Sequence, residues 1–427
     1  MLHKALPGFR DFYPPELAVR SHITGAWRDV ARRYGFEEYD GPPLEALELY
    51  VEKSGEEIVD QLYRFVDRGE RAVALRPEMT PTLARMVAAR AAGLRKPIRW
   101  YSVPQLFRYE RTQRGRLREH LQWNVDIIGE ESITADAEVL AVALDALRTL
   151  GLTAADVVAR FNDRRLLERL VLGVGVPTDR LLPTYAAIDK LTREPPELIR
   201  EQLVRSGGIS ADTATAVLAI FEHRDLPALR LAYGRSDSVL RELDRLDQYA
   251  AQLGELGFGD YAQFDPTIVR GLAYYTGTVF EIFDRQGELR AICGGGRYDD
   301  LLRNIGSVSL PAVGFGMGDV VLGELLAERQ LLPETRPRVD YYLVAVSDAE
   351  RPTMLRVARA LRQGGASVMY ALKHANVGKQ FKDADARGAR QVLVFGPDEL
   401  AAGEVVQRTM GSGEERRTPL SAWLGAQ

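Results

Sequence analysis

Between Arg95 and Arg118 the cations are Arg95, Lys96, Arg99, Arg108, Arg111, Arg114, Arg116 and Arg118, set against the single acid Glu110. Guanidinium forks bind phosphate oxygens in pairs, and Gly115 allows a tight tip between the arginines. Such a run serves either as a solvated charged face or as a site for a polyanion. The interleaved Trp100, Tyr101, Phe107, Tyr109 and Trp123 point to the second, because apolar rings anchor the neighbouring arginines at a wall. A second constellation runs from Val269 to Glu281, with Arg270, Tyr274 and Tyr275 between Gly271 and Gly277. On residue types alone it reads as a tyrosine-bearing hairpin turn. A third is Leu75-Arg76-Pro77-Glu78-Met79-Thr80, where Pro77 shapes a turn and Glu78 is either solvated or aimed at a ligand.

These residues need elements to hold them. Residues 98–102 and 123–128 read as strands, the second alternating Trp123, Val125 and Ile127, so the arginines sit on a strand-loop-strand hairpin. Helical spacing of Ile23, Trp27, Val30 and Ala31 predicts a helix over 18–33, stopped at Gly35. Residues 132–150 predict another, with Thr134 as N-cap and Ala137, Leu140, Ala141, Leu144 and Leu147 on one face. From about 163 to 257 helical patterns broken by Gly and Pro predict a helical insertion. Strand character returns at 279–283, followed by a Gly-rich turn at Gly294-Gly295-Gly296 and a glycine-spaced segment from Gly314 to Gly318. The prolines and mixed charge of 331–338 suit a linker. Beyond it, strands at 341–346, 367–370 and 391–395 alternate with helices around Met354 to Leu361 and over 379–387, which predicts a small α/β domain.

Composition limits the alternatives. With 427 residues, 46% of them apolar, the chain is long enough for more than one core. A net charge of -4 provides no global basic field, so any contact with nucleic acid must be local. The single cysteine, Cys293, excludes an internal disulfide, and the first residues lack the apolar stretch of a signal peptide, so a cytoplasmic location is expected. Charges interrupt every apolar run well short of the ~20 residues that span a bilayer, and no membrane association is expected.

In this order the pieces resemble the histidyl-tRNA synthetases, members of the class II aminoacyl-tRNA synthetases. The resemblance extends over nearly the whole chain. It runs from Gly8-Phe9-Arg10-Asp11-Phe12-Tyr13-Pro14 through Leu75-Arg76-Pro77-Glu78, the arginine hairpin and the stretch from Arg270 to Glu281. It continues through Gly294-Gly295-Gly296-Arg297-Tyr298-Asp299 and Lys379-Gln380-Phe381-Lys382 to Gly396-Pro397-Asp398-Glu399-Leu400. The Arg-Gly-Leu-x-Tyr-Tyr element is its most specific part. The resemblance implies an α+β fold, an antiparallel sheet flanked by helices with a helical insertion and a C-terminal α/β anticodon-binding domain. With the linker read at 331–338 from its prolines and mixed charge, the expected divisions are a catalytic domain over 1–330 and the anticodon-binding domain over 339–427.

The same resemblance implies that histidine attacks ATP to give histidyl adenylate and is then transferred to histidine tRNA. Arg108 would hold the α-phosphate, Arg116 the outer phosphates, and Arg270 the α-phosphate and substrate carboxylate; Glu110 and His120 complete the ATP site. Glu78, Thr80 and Gln122 would take the α-amino group, Asp126 and Tyr275 the imidazole, with Tyr274 and Tyr298 lining the pocket. Thr112, Gln113 and Arg114 would meet the acceptor end of the tRNA. Mg²⁺ is expected with ATP, and a homodimer is implied by the family.

Departures from the family pattern are also visible. Val321 stands where an arginine usually grips the ATP γ-phosphate. Met79 replaces a glycine, Ala273 an aspartate, and Asp126 is one methylene shorter than the usual glutamate. His120 stands where an aromatic ring often stacks on adenine. An alternative reading is the noncatalytic, synthetase-like regulatory subunit of ATP phosphoribosyltransferase, which usually lacks the last domain; the segment 339–427 speaks against it.

Overall fold

The computed structural model describes residues 4–54, 60–191, 193–269, 275–287, 289–306, 308–334 and 338–424. Arg270, Gly271, Leu272, Ala273 and Tyr274 therefore lie outside the described residues. The chain forms two compact units, 1–333 and 334–427.

The first unit is built on a nine-stranded sheet among the described residues. Its spatial order is Glu37–Glu38, Ile98–Ser102, Glu119–Ile128, Ala312–Gly318, Cys293–Arg297, Thr278–Asp284, Val157–Asp163 and Ala262–Phe264, and Gln105–Phe107 also pairs with Glu119–Ile128. The pairings are antiparallel except at the two edges, Glu37–Glu38 and Ala262–Phe264. Strand pleating puts alternate residues on opposite faces. On Glu119–Ile128, Trp123, Val125 and Ile127 face the main core, where Trp123 stacks on Trp27 at 5.9 Å. Behind that face pack Pro14–Arg33 and Ile133–Thr149; the second is hydrophobic nearly all round and correspondingly buried.

Several local expectations change. Ser132, not Thr134, is the N-cap of Ile133–Thr149, and Thr134 lies inside the first turn. The triple-glycine segment is not a turn: Cys293–Arg297 and Ala312–Gly318 are adjacent central strands. Glycine disfavours strands on propensity, so their placement is decided by what must fit beside them. The strand read as beginning at Trp123 starts four residues earlier, at Glu119, and the added stretch carries the polar residues Glu119, His120 and Gln122.

Helices from Arg164–Gly173 to Asp237–Glu255 follow Val157–Asp163 and return to the sheet at Ala262–Phe264. Three of their starts are capped locally: Asp163, Ser210 and Asp225 accept hydrogen bonds from Arg165 N, Thr213 N and Ala228 N. A smaller sheet of Leu44–Ala46, Ala72–Leu75 and Arg64–Val66 precedes Thr80–Arg90 and brings Glu78 to the cavity described below.

The second unit holds a five-stranded sheet, ordered Val368–Tyr370, Val339–Ala345, Ala389–Phe395, Glu404–Thr409 and Glu415–Pro419. The first three strands are parallel, and the last two, which the sequence reading did not include, are antiparallel. Leu343 and Ala345 pack with Met354 and Val357 of Arg351–Gln363, while Tyr342 and Val344 pack with Ala384 of Val377–Ala386. Helices thus cover both faces, as a sheet apolar on two sides requires. No helix among the described residues is long and apolar enough to cross a membrane.

Candidate active site

A cavity of about 1240 Å³ opens over the polar face of the large sheet. The alternation that sends Trp123, Val125 and Ile127 into the core sends His120, Gln122, Asn124 and Asp126 into this cavity. On the neighbouring strand the residues facing them are glycines. Gly314 pairs with Asp126 and Gly316 with Asn124 across the ladder. A β-carbon on Gly314 would overlap Asp126 Oδ1, and one on Gly316 would overlap Gln122 Nε2. A β-carbon on Gly296 would come within 3.0 Å of Tyr275 Cδ1. The glycine strands are a floor kept bare so that two polar side chains can lie flat across it.

Asp126 is 4% exposed and accepts a hydrogen bond from the hydroxyl of Tyr298, itself buried at 2%. Gln122 Nε2 donates to Asn124 Oδ1 at 2.9 Å, and Asn124 Nδ2 donates back to the Gln122 carbonyl at 3.2 Å. Arg297, the neighbour of Tyr298, is fully buried and holds Asp136 through Nε and Nη2, at 3.0 and 2.7 Å, together with the Glu130 carbonyl at 3.0 Å. It points away from the ligand space and fixes the strand that presents Tyr298.

The arginine hairpin forms one side of the cavity. Arg108 N donates to the Arg118 carbonyl at 2.9 Å, and Gln113 and Arg116 bridge at the tip, where Gly115 takes a φ of 70°. Arg108 Nε donates to the Pro77 carbonyl at 2.9 Å, which ties the hairpin to the turn carrying Glu78. Arg116 pairs with Glu110. At the tip Gly115 N donates to Glu324 Oε1 at 3.2 Å, and Arg114 reaches Glu324 at 3.3 Å and also Glu328, both on Asp319–Glu328. The base is clamped by the start of the chain. Arg118 N donates to the Gly8 carbonyl at 3.0 Å, and Arg10 bridges Glu119 at 2.7 Å and Asp319 at 3.0 Å.

His120 lies in the cavity beside Arg108. Burial first, and the Arg108 charge second, pull its pKa down from 6.5 to about 4, so the ring is neutral at physiological pH. Tyr39 sits behind Asp126 with its hydroxyl buried and no hydrogen-bond partner among the described residues. Burial, followed by the Asp126 charge, raises its ionisation well above the usual range, so it stays a neutral donor.

Of the residues singled out from sequence, Glu78, Thr80, Arg108, Glu110, Arg116, His120, Gln122, Asp126, Tyr275 and Tyr298 line this one cavity. Thr112, Gln113 and Arg114 do not; they are exposed at the hairpin tip. Arg270 and Tyr274 lie outside the described residues. Val321 lines the cavity, whereas Met79 is fully buried and packs away from it. Sequence reasoning missed Asn124, Glu281, Arg160, Arg193 and Arg290 in the lining. Strand alternation from Gln122 and Asp126 would have found Asn124; Arg160, Arg193 and Arg290 come from separate segments that no local pattern links.

An antiparallel sheet with a polar face, a glycine floor and an arginine hairpin at one cavity defines a class II aminoacyl-tRNA synthetase. A family model for histidyl-tRNA synthetase matches residues 8–318, and one for an anticodon binding domain matches residues 340–425. A histidine–tRNA ligase of Opitutus terrae is 42% identical over 97% of this chain and 96% of that protein. A chloroplastic/mitochondrial histidine–tRNA ligase of Arabidopsis thaliana is 41% identical over 97% of this chain and 84% of that protein. The crystal structure of histidyl-tRNA synthetase from Nostoc sp. PCC 7120 superposes with a TM-score of 0.83 at 26% identity, covering 98% of this chain and 97% of that one. The chain belongs to the histidyl-tRNA synthetase family.

Proposed function

We propose that this protein is a histidine–tRNA ligase, which activates histidine with ATP and transfers it to the 3′ end of histidine tRNA. The observation that carries this reading is the convergence of an arginine hairpin and a buried Asp126–Tyr298 pair on one cavity. The carboxylate oxygen of histidine attacks the α-phosphorus, a mixed anhydride forms and pyrophosphate leaves. The nucleophile is already an anion, so no general base is needed, and alignment with preorganised positive charge does the catalysis. In our reading Arg108 and Arg270 hold the α-phosphate and Arg116 the outer phosphates. Glu110 and the neutral ring of His120 receive the adenosine end.

Glu78, Thr80 and Gln122 take the α-amino group. Asp126 and Tyr275 bond the two imidazole nitrogens, with Tyr298 orienting the Asp126 carboxylate and Tyr274 closing the pocket. A substrate without two ring nitrogens leaves those buried groups unpaired, which at sites of this kind costs a competitor a factor of up to ~10⁴. The terminal ribose hydroxyl of the tRNA then attacks the acyl carbon and AMP leaves. Thr112, Gln113 and Arg114 are suited to meet the acceptor end, because the hairpin tip projects them outside the cavity.

Mg²⁺ enters this reading with ATP. Among the described residues no three acidic, His or Cys side chains form a metal cage, but Glu281 is a cavity carboxylate of the hard-oxygen kind that shares Mg²⁺ with phosphates. Bound there, the ion would neutralise the departing pyrophosphate. We assign catalysis to 1–330, a linker to 331–338 and anticodon recognition to 339–427. We further assign a homodimer and a cytoplasmic setting, the latter in keeping with the single, buried Cys293.

The test is histidine-dependent exchange of pyrophosphate into ATP, followed by charging of histidine tRNA. No exchange with any amino acid would overturn the enzyme reading, and exchange without charging would limit it to adenylate formation. Arg270→Ala should abolish exchange; near-normal exchange would remove Arg270 from the α-phosphate.

A further inference from the structure

The position that usually supplies a γ-phosphate arginine is Val321, in the first turn of Asp319–Glu328. Its side chain packs against the hairpin tip, since a β-carbon on Gly115 would meet Val321 Cγ2 at 3.1 Å. The same point lies 4.0 Å from Cδ of Arg290, so the stem of Arg290 runs beside both Val321 and the tip that carries Arg116. Arg290 lines the cavity and is exposed, so its guanidinium is open to a ligand there.

Of the other cations at this end of the cavity, Arg10 holds Glu119 and Asp319 and Arg114 holds Glu324 and Glu328, while Arg116, which pairs with Glu110, already has its own place on the outer phosphates. Arg160, further along the lining, faces Asp265 at 3.6 Å and lies over the Phe283 ring at 5.3 Å. Arg290 makes no hydrogen bond or ion pair among the described residues. The helix start cannot substitute for it, because Asp319 places a carboxylate at that terminus and accepts from Leu121 N at 2.9 Å, offsetting the positive end of the helix dipole.

We propose that Arg290 binds the outer phosphates of ATP and replaces, from a different strand connection, the arginine absent at position 321. The proposal rests on the ligase reading above and adds a residue to it. When ATP binds, the Arg290 guanidinium pairs with β- or γ-phosphate oxygens, releases with pyrophosphate and plays no part in transfer to tRNA.

Arg290→Gln should raise KM for ATP in histidine-dependent exchange by roughly 10- to 100-fold, the scale of a lost charge-assisted bond. Inhibition by AMP, which lacks the outer phosphates, should stay unchanged. Arg290→Lys should recover part of the loss, as should Val321→Arg placed in the Arg290→Gln background. Arg193→Ala serves as the comparison, since Arg193 also lines the cavity. Unchanged KM for ATP in Arg290→Gln, equal weakening of ATP and AMP, or an ATP-selective loss in Arg193→Ala alone would each overturn the assignment. Absence of exchange in the unaltered protein would instead sink the ligase reading. In that event calorimetric affinities for ATP and AMP in Arg290→Gln still decide whether Arg290 holds the outer phosphates.

Discussion

A neutral histidine next to an arginine is a consequence of where His120 sits, and it can be read in solution. Its folded pKa of about 4 lies below the ordinary 6.5, so the unfolded chain binds the extra proton first as pH falls. Its contribution to stability is full above about 6.5 and is lost as pH drops toward 4. The ring protons of His120 should therefore show no titration by NMR between about pH 7.5 and 5.5, and a midpoint near 6.5 would contradict the burial. Asp126 carries a different prediction. Asp126→Asn removes the charge that pairs with the substrate ring while retaining an acceptor for Tyr298. We expect kcat/KM for histidine in the exchange reaction to fall about 100-fold with the melting temperature little changed; a change within about threefold would detach Asp126 from substrate recognition. Most of these side chains were legible as residue types, because arginines beside aromatics and a glutamate after Arg-Pro are unusual enough to single out. Arg290 and Tyr39 were not, since an isolated arginine or tyrosine becomes meaningful only through neighbours distant in sequence.

At the scale of elements, the two glycine strands link packing to specificity. Gly316→Ala would drive a methyl group into the Gln122 amide, which can turn aside, so we expect native circular dichroism with a raised KM for histidine. Gly314→Ala meets both the Asp126 carboxylate and, at 2.7 Å, the backbone carbonyl of Val125, which cannot move without distorting the ladder. That variant should also lose about 1–3 kcal/mol in urea denaturation. The Arg297–Asp136 pair is purely a fastening for the strand beside them. Arg297→Met leaves the buried Asp136 with Arg245 at 3.6 Å as its remaining cation, and a loss of about 2–4 kcal/mol is expected by the same measurement, with a loss under about 1 kcal/mol contradicting the role. The helices and the alternating strands were readable from the sequence because apolar periodicity records which face is buried. Of the glycine strands, Cys293–Arg297 was not readable as a strand, because three successive glycines carry no periodicity, whereas Ala312–Gly318 alternates Val313, Phe315 and Met317 with glycines and its period of two was masked by glycine's low strand propensity. The start of Glu119–Ile128 was hidden for the opposite reason, since its outward face is polar for the sake of the cavity.

At the scale of the molecule, each unit carries its own core, the first around Trp27, Trp123 and Leu140 and the second around Leu343, Val357 and Phe395. Residues 1–333 produced alone should retain histidine-dependent exchange and lose most charging of tRNA, which filter assays of the two half-reactions would separate. Loss of both would tie adenylate formation to the second unit. A net charge of -4 fits the division of labour, since the cations that matter are gathered at one cavity while the surface remains nearly balanced. The clamp at the hairpin base has a consequence for the order in which this site can come into being. Arg10 leaves the ribosome long before Glu119, and Asp319 comes near the end of the first unit, yet all three must meet before the hairpin is anchored. A nascent chain stalled before Asp319 emerges should be unable to activate histidine however well its earlier strands have formed, so the enzyme comes into activity in one late step of its own synthesis.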